Sequence, residues 1–141
     1  MAMRFVKGRT KTVLFPAAIS NLFSKNSLVY FDGSGSVIPA DSTSGDHVGI
    51  ILEAITAASA KYTTAGKVLV EVPVDKQCEI EADVTTGLTA AKVGTTMDLT
   101  DASTVAIATS KNVVTCVKFI SATKGRFVLN STFDVLRVAT T

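Results

Sequence analysis

KVLVEVPVDKQCEIEADV, residues 67–84, is the stretch that decides the fold. Val68, Val70, Val72 and Val74 alternate with Lys67, Leu69, Glu71 and Pro73. Beyond Asp75 and Lys76, Cys78, Ile80, Ala82 and Val84 alternate with Gln77, Glu79, Glu81 and Asp83. Successive side chains of a strand point to opposite faces, so a period of two on both sides of a short connection predicts a β-hairpin. Each buried Val or Ile contributes about 1.5–3 kcal/mol, enough for this apolar face to anchor a sheet. Pro73 has no backbone N–H, which places its strand at an edge or a bulge. Asp75-Lys76 is not the Asn-Gly pair that best specifies a tight turn, so the alternation fixes the faces more sharply than the turn.

The same signal recurs outward from this segment. NVVTCVKFIS (112–121), a turn over residues 122–125 and RFVLN (126–130) predict a second hairpin, with Val113, Thr115, Val117 and Phe119 on one face and Phe127 and Leu129 on one face of the return strand. SLVYF (27–31), SVIPA (36–40), HVGIILEAI (47–55), TVAIAT (104–109) and FDVLRV (133–138) are further strands. They are separated by turn formers at residues 32–35, 41–46 and 95–104. Short helical turns are expected at residues 16–23 and 89–93. The 141-residue chain is 47% hydrophobic but only 6% aromatic, its apolar mass being Val, Ile, Leu and Ala, which favours strands. The expected fold is all-β, a small β-sandwich or β-barrel with an extended basic N-terminal arm.

That arm is read from charge. MRFVKGRTKT, residues 3–12, carries Arg4, Lys7, Arg9 and Lys11 and no carboxylate. With Lys25, residues 1–31 hold five cations and no acid, leaving nine cations and all twelve acids to the remainder. We therefore expect an arm over residues 1–15 and a single β-rich domain over residues 16–141. No stretch of about 18 apolar residues, the length that spans a bilayer, occurs, and residues 1–24 lack the apolar core of a signal peptide. A soluble chain made in the cytoplasm is the expectation. Cys78 and Cys116 lie far apart in strand-like runs beside a single His, which opposes a zinc site and favours two buried, reduced thiols.

No active site assembles from the residues. Glu71, Glu79, Glu81 and Asp83 could act as general acid and base, but the alternation turns Glu79, Glu81 and Asp83 outward, so a solvated strand face is the better reading. Residues 41–46 begin like a calcium loop, yet Leu52 stands where the bidentate Glu belongs. Asp32-Gly-Ser-Gly35 lacks the spacing of a phosphate cradle. His47 beside Asp46 has no serine elbow to serve, and neither thiol has a basic setting. No cofactor, no metal site and no enzymatic activity are expected.

A cationic terminus can meet nucleic acid, a membrane or a protein. Nucleic acid is disfavoured because few aromatics interleave with the cations, and a membrane because Gly8, Thr10, Thr12 and Val13 oppose an amphipathic helix. Extended cationic residues with apolar anchors suit strand addition or groove binding on another protein. The candidate docking residues are Arg4, Phe5, Val6, Lys7, Arg9, Lys11, Val13, Leu14 and Phe15.

VLFPAAISNLFSKNSLVYFDGSGSVIPADSTSGDHVGIILEAI (13–55) resembles the opening of small structural proteins of tailed bacteriophages. KVLVEVPVDKQCEIEADV and the later VGTTMDL (93–99) are similar to capsid decoration, or cement, proteins of that class. The resemblance covers most of residues 10–130 and rests on the order and texture of β segments. It implies a β-rich body on the capsid surface of a virion, commonly a homotrimer at three-fold positions, whose terminal arm adds to strands of the major capsid protein. Arg4 to Phe15 carry that arm, with Gly33, Gly35 and Gly49 as backbone features. A tail or head-fibre adhesion component, and a nucleic-acid-associated protein using the arm on phosphates, are the alternatives.

Overall fold

The computed structural model describes residues 3–31, 35–41, 47–64, 66–74, 78–108 and 111–130, and the His47 side chain lies outside this description. Eleven strands run β1 Arg4–Lys7, β2 Thr10–Ala17, β3 Ser27–Phe31, β4 Val37–Pro39, β5 His47–Ile51, β6 Gly66–Pro73, β7 Glu79–Val84, β8 Thr96–Asp101, β9 Thr104–Ala106, β10 Val114–Ser121 and β11 Lys124–Leu129. One turn of helix, Ala60–Thr63, precedes β6, and a 3-10 turn, Ala90–Lys92, follows β7. Among the described residues no helix is long and apolar enough to cross a membrane.

The all-β expectation holds in barrel form. β2, β4, β3, β5 and β6 close into a five-stranded barrel. Val68, Val70 and Val72 of β6 point inward and are fully buried, joined by Phe15, Ala17, Val29, Val37, Val48 and Ile51. Closure brings β5 hard against β6: a Cβ on Gly49 would lie 2.2 Å from the Glu71 carbonyl oxygen, so only glycine fits there. The second sheet runs β1-β7-β11-β10-β8-β9, and β9 also pairs with β7, so five of its strands return on themselves. Its core holds Met3, Ile80, Ala82, Val84, Met97, Leu99, Cys116, Phe127 and Leu129. The two cores meet across β3 and β5. Leu28 and Ile50 pack into the second core, whereas their neighbours Val29 and Ile51 pack into the barrel, the alternation of a strand with a core on each face.

The hairpin expected over residues 67–84 is corrected. Both strands form with the expected inward sets, but β6 pairs with β2 and β5, and β7 pairs with β1, β11 and β9. Alternation fixes which face is buried and says nothing of the partner. β2 offers β6 an eight-residue antiparallel register from Thr10↔Pro73 to Ala17↔Gly66. Pro73 ends its strand where β5 no longer reaches, since β5 meets β6 only at Val70 and Glu71, so the missing N–H leaves no gap in that ladder.

The second expected hairpin is present, β10 and β11 turning at Ala122 and Thr123. Its inward residues on β10 are Val114 and Cys116, while Val117 and Phe119 are exposed. Register shifts after Cys116 and after Phe119 mark two bulges, which break the simple alternation assumed for one face. Residues 95–104, expected as a loop, contain β8. Thr96, Asp98 and Thr100 look like turn formers, but Met97 and Leu99 between them are buried. Asp98 itself is buried and accepts hydrogen bonds from the Lys111 and Asn112 amides at 2.7 and 2.8 Å. Residues 16–23 are not helical: β2 runs through Ala17, and Ser20 has φ 62. The expected turn at residues 89–93 is the 3-10 segment Ala90–Lys92. The expected strand at residues 133–138 and the loops at residues 32–34 and 42–46 lie outside the described residues.

Candidate functional site

Of the residues expected to form an arm, Arg4–Lys7 are β1 and residues 10–15 open β2, both paired with strands of the body. β1 pairs with β7 through Arg4↔Glu81, Phe5↔Ile80 and Lys7↔Glu79. Between β1 and β2 the chain turns at Gly8, with φ +91 and no room for a Cβ, which would stand 2.7 Å from Cys78 Cα. Cys78 Sγ lies 2.9 Å from the Arg9 carbonyl that it faces.

The cations of β1 therefore meet the carboxylates of β7. Arg4 Nη2 is 3.1 Å from Glu81 Oε2, Lys7 Nζ is 3.5 Å from Glu79 Oε2, and Lys124 Nζ is 3.9 Å from Glu81 Oε1. This corrects the expected solvated acidic face, for the Glu79 and Glu81 side chains are only 18% and 16% exposed. Period two places these acids outward, but neighbouring strands bring long cationic side chains across them. Glu71 is satisfied differently, accepting from Thr10 Oγ1 at 2.6 Å. Beside the ion pairs a cleft of about 200 Å³ is lined by Arg4, Asn26, Glu81, Ala82, Asp83 and Lys124. Both oxygens of Glu81 face cations of the neighbouring strands β1 and β11.

The remaining candidate docking residues divide by face. Phe15 is buried and packs edge-on against Phe31, with ring centroids 5.5 Å apart, so it anchors the chain's own barrel. Phe5, Val6 and Val13 are half-buried. Arg9 and Lys11 are exposed and make no ion pair among the described residues. Leu14 is different: it points outward at 57% exposure, directly opposite Leu69 of β6 at 37%. Thr12↔Glu71 and Pro16↔Lys67 lie on either side of this pair along the same two strands. The structure thus separates the candidates into the ion-paired Arg4 and Lys7, the buried or half-buried Phe5, Val6, Val13 and Phe15, the exposed cations Arg9 and Lys11, and the outward apolar Leu14.

Leu69 was not among the sequence candidates, although its signal was there: it sits in the outward register of the stretch 67–74. Arg126 and Lys118 were also missed. They are Cα partners on β11 and β10, and Arg126 is also opposite Glu81, so Arg4, Glu81, Arg126 and Lys118 form one row across four strands. That row is set by pairing of distant segments.

Among the described residues no three His, Cys, Asp or Glu side chains gather as a metal cage. Cys78 and Cys116 are both buried and free, and burial pushes the Cys116 thiol above its ordinary range. No protein-family model matches the chain, and no curated protein matches it.

Proposed function

We propose that this protein is a non-enzymatic structural component of a tailed-phage virion, binding the outer surface of the capsid. The observation that carries the reading is the Leu14–Leu69 pair. On a solvent-facing barrel wall, two leucines opposite one another form an apolar step between Thr12–Glu71 and Pro16–Lys67. Such a small apolar centre with a polar margin is the anatomy of a docking surface. The sequence resemblance to decoration proteins supplies the kind of partner, the major capsid protein.

The mode of docking follows from the pairing. β2 pairs with β6 along its whole length and with β4 at Ala17, so the contact with the shell is made by side chains of the β2–β6 face, with exposed Lys67 favouring an acidic margin on the partner. A homo-oligomer, which the resemblance implies, would join several such contacts and raise the overall affinity through effective concentration.

The test is to add purified protein to DNA-free heads of the phage that encodes it. Saturable binding with an increased temperature of head disruption is expected. Absence of saturable binding to intact heads would contradict the reading.

A further inference from the structure

On the second sheet, Lys118 and Arg126 stand directly opposite one another on β10 and β11. Like charges at such a position repel, and neighbouring strands ordinarily supply a carboxylate. Here the nearest one across the sheet, Glu81, has one oxygen at 3.1 Å from Arg4 and the other at 3.9 Å from Lys124. Among the described residues neither Lys118 nor Arg126 forms an ion pair, and the buried Nε of Arg126 has no hydrogen-bond partner.

Lys118 also lies where the sheet stops covering β10. β8 pairs with β10 only at Val114 and Thr115, and Cys116 is met by the backbone at Gly94 and Thr95. Residues 117–121 are exposed and, among the described residues, paired only with β11. Val117 and Ile120, the residues at the two bulges, flank Lys118 there, 37% and 40% exposed, whereas Phe119 pairs with Gly125 and takes the face opposite to Lys118. The two bulges in this run break the flat ladder that a second copy of the strand would need for edge-to-edge pairing, which leaves recognition to side chains.

We propose that Lys118 and Arg126, with Val117 and Ile120 at the bulges beside them, form a docking surface for an acidic, partly apolar peptide segment of another protein. A carboxylate placed between Lys118 and Arg126 would relieve their repulsion, and apolar residues of the same segment would cover Val117 and Ile120. This surface belongs to a different sheet from Leu14 and Leu69 and does not depend on capsid binding.

The probe is a short fluorescein-labelled peptide of alternating Glu and Val, with a Lys/Val peptide of equal length and an oligo-dT strand as comparisons, followed by anisotropy. The Glu/Val peptide is expected to bind, and Lys118→Glu to weaken it about tenfold or more while Lys25→Glu, the same charge change on the β1 side, leaves it unchanged. Circular dichroism checks that Lys118→Glu is folded, and Lys118→Ala, which removes the charge without reversing it, is expected to give an intermediate loss. Bound peptide should also slow amide hydrogen exchange across residues 117–121. No binding of the Glu/Val peptide, equal effects of the two charge reversals, or equal binding of the Lys/Val peptide would overturn the proposal. Tighter binding of oligo-dT would assign the surface to nucleic acid instead, and concentration-dependent self-association abolished by Lys118→Glu would assign it to a second copy.

Discussion

Arg4 Nη2 donates a 3.1 Å hydrogen bond to Glu81 Oε2, joining residues 77 positions apart. Arg4 and Lys7, two of the four cations of residues 3–12, thus meet carboxylates of the chain's own acidic strand. The Arg4 side chain is 72% exposed, so solvent screens the pair strongly. A double-mutant cycle of Arg4→Ala and Glu81→Ala, followed by urea unfolding, should give a coupling below about 1 kcal/mol that shrinks further at high salt. A coupling well above that, insensitive to salt, would show that the pair is a main clamp of β1.

The stronger attachment of the N-terminal segment is apolar. Met3 is 1% exposed in the second core, and its amide donates to the Asn26 carbonyl at 2.9 Å. Met3→Ala should cost about 2–5 kcal/mol in chemical denaturation. Deleting residues 1–12 should do more harm, because it removes Met3, β1 and the start of β2 together. A truncated chain with wild-type stability would mean that β1 and β2 are not integral to the body.

Gly49 tests the closure of the barrel. Its replacement by Ala drives a methyl group against the Glu71 carbonyl, a backbone atom that cannot swing aside. We expect Gly49→Ala to lower stability by on the order of 3 kcal/mol. A neutral result in thermal unfolding would place β5 and β6 farther apart than described.

How much of this was legible in the sequence depends on the range of the interaction. Val68, Val70, Val72, Ile80 and Ala82 reveal their buried face through spacing alone, since side-chain direction in a strand is a local property. The partners of β6 and β7 are not local. Nothing in residues 67–84 says that β2 will take β6 and that β1 will take β7, and the basic composition of residues 3–12 suggested a free arm because its acids lie on a strand more than 60 residues away. β8 was hidden for a different reason: Asp98 is a turn former by type, and only the loop that donates to it makes a buried carboxylate tolerable. Leu14 stood among the candidate docking residues, whereas Leu69 was placed opposite it only by the pairing of β2 with β6.

Cys116 gives the chain a pH signature. Burial raises its thiol above the ordinary value of 9.0, so the folded state holds the proton that the unfolded chain releases first. The stabilisation is fully present below about pH 9 and is lost as pH rises through the folded value, because the unfolded chain then binds fewer protons. Unfolding free energy should decline above pH 9 in the wild type and decline less in Cys116→Val. Identical slopes in the two proteins would remove Cys116 as the cause.

The central claim, that the β2–β6 face meets the capsid through Leu14 and Leu69, is tested most directly by co-sedimentation of the Leu14→Ser/Leu69→Ser variant with DNA-free heads. Both side chains are exposed, so each change should alter stability by no more than about 0.5 kcal/mol, and loss of binding can be read as loss of contact. The account predicts a folded variant that stays in the supernatant while the wild type pellets with the heads. A folded variant that occupies heads as fully as the wild type would contradict it.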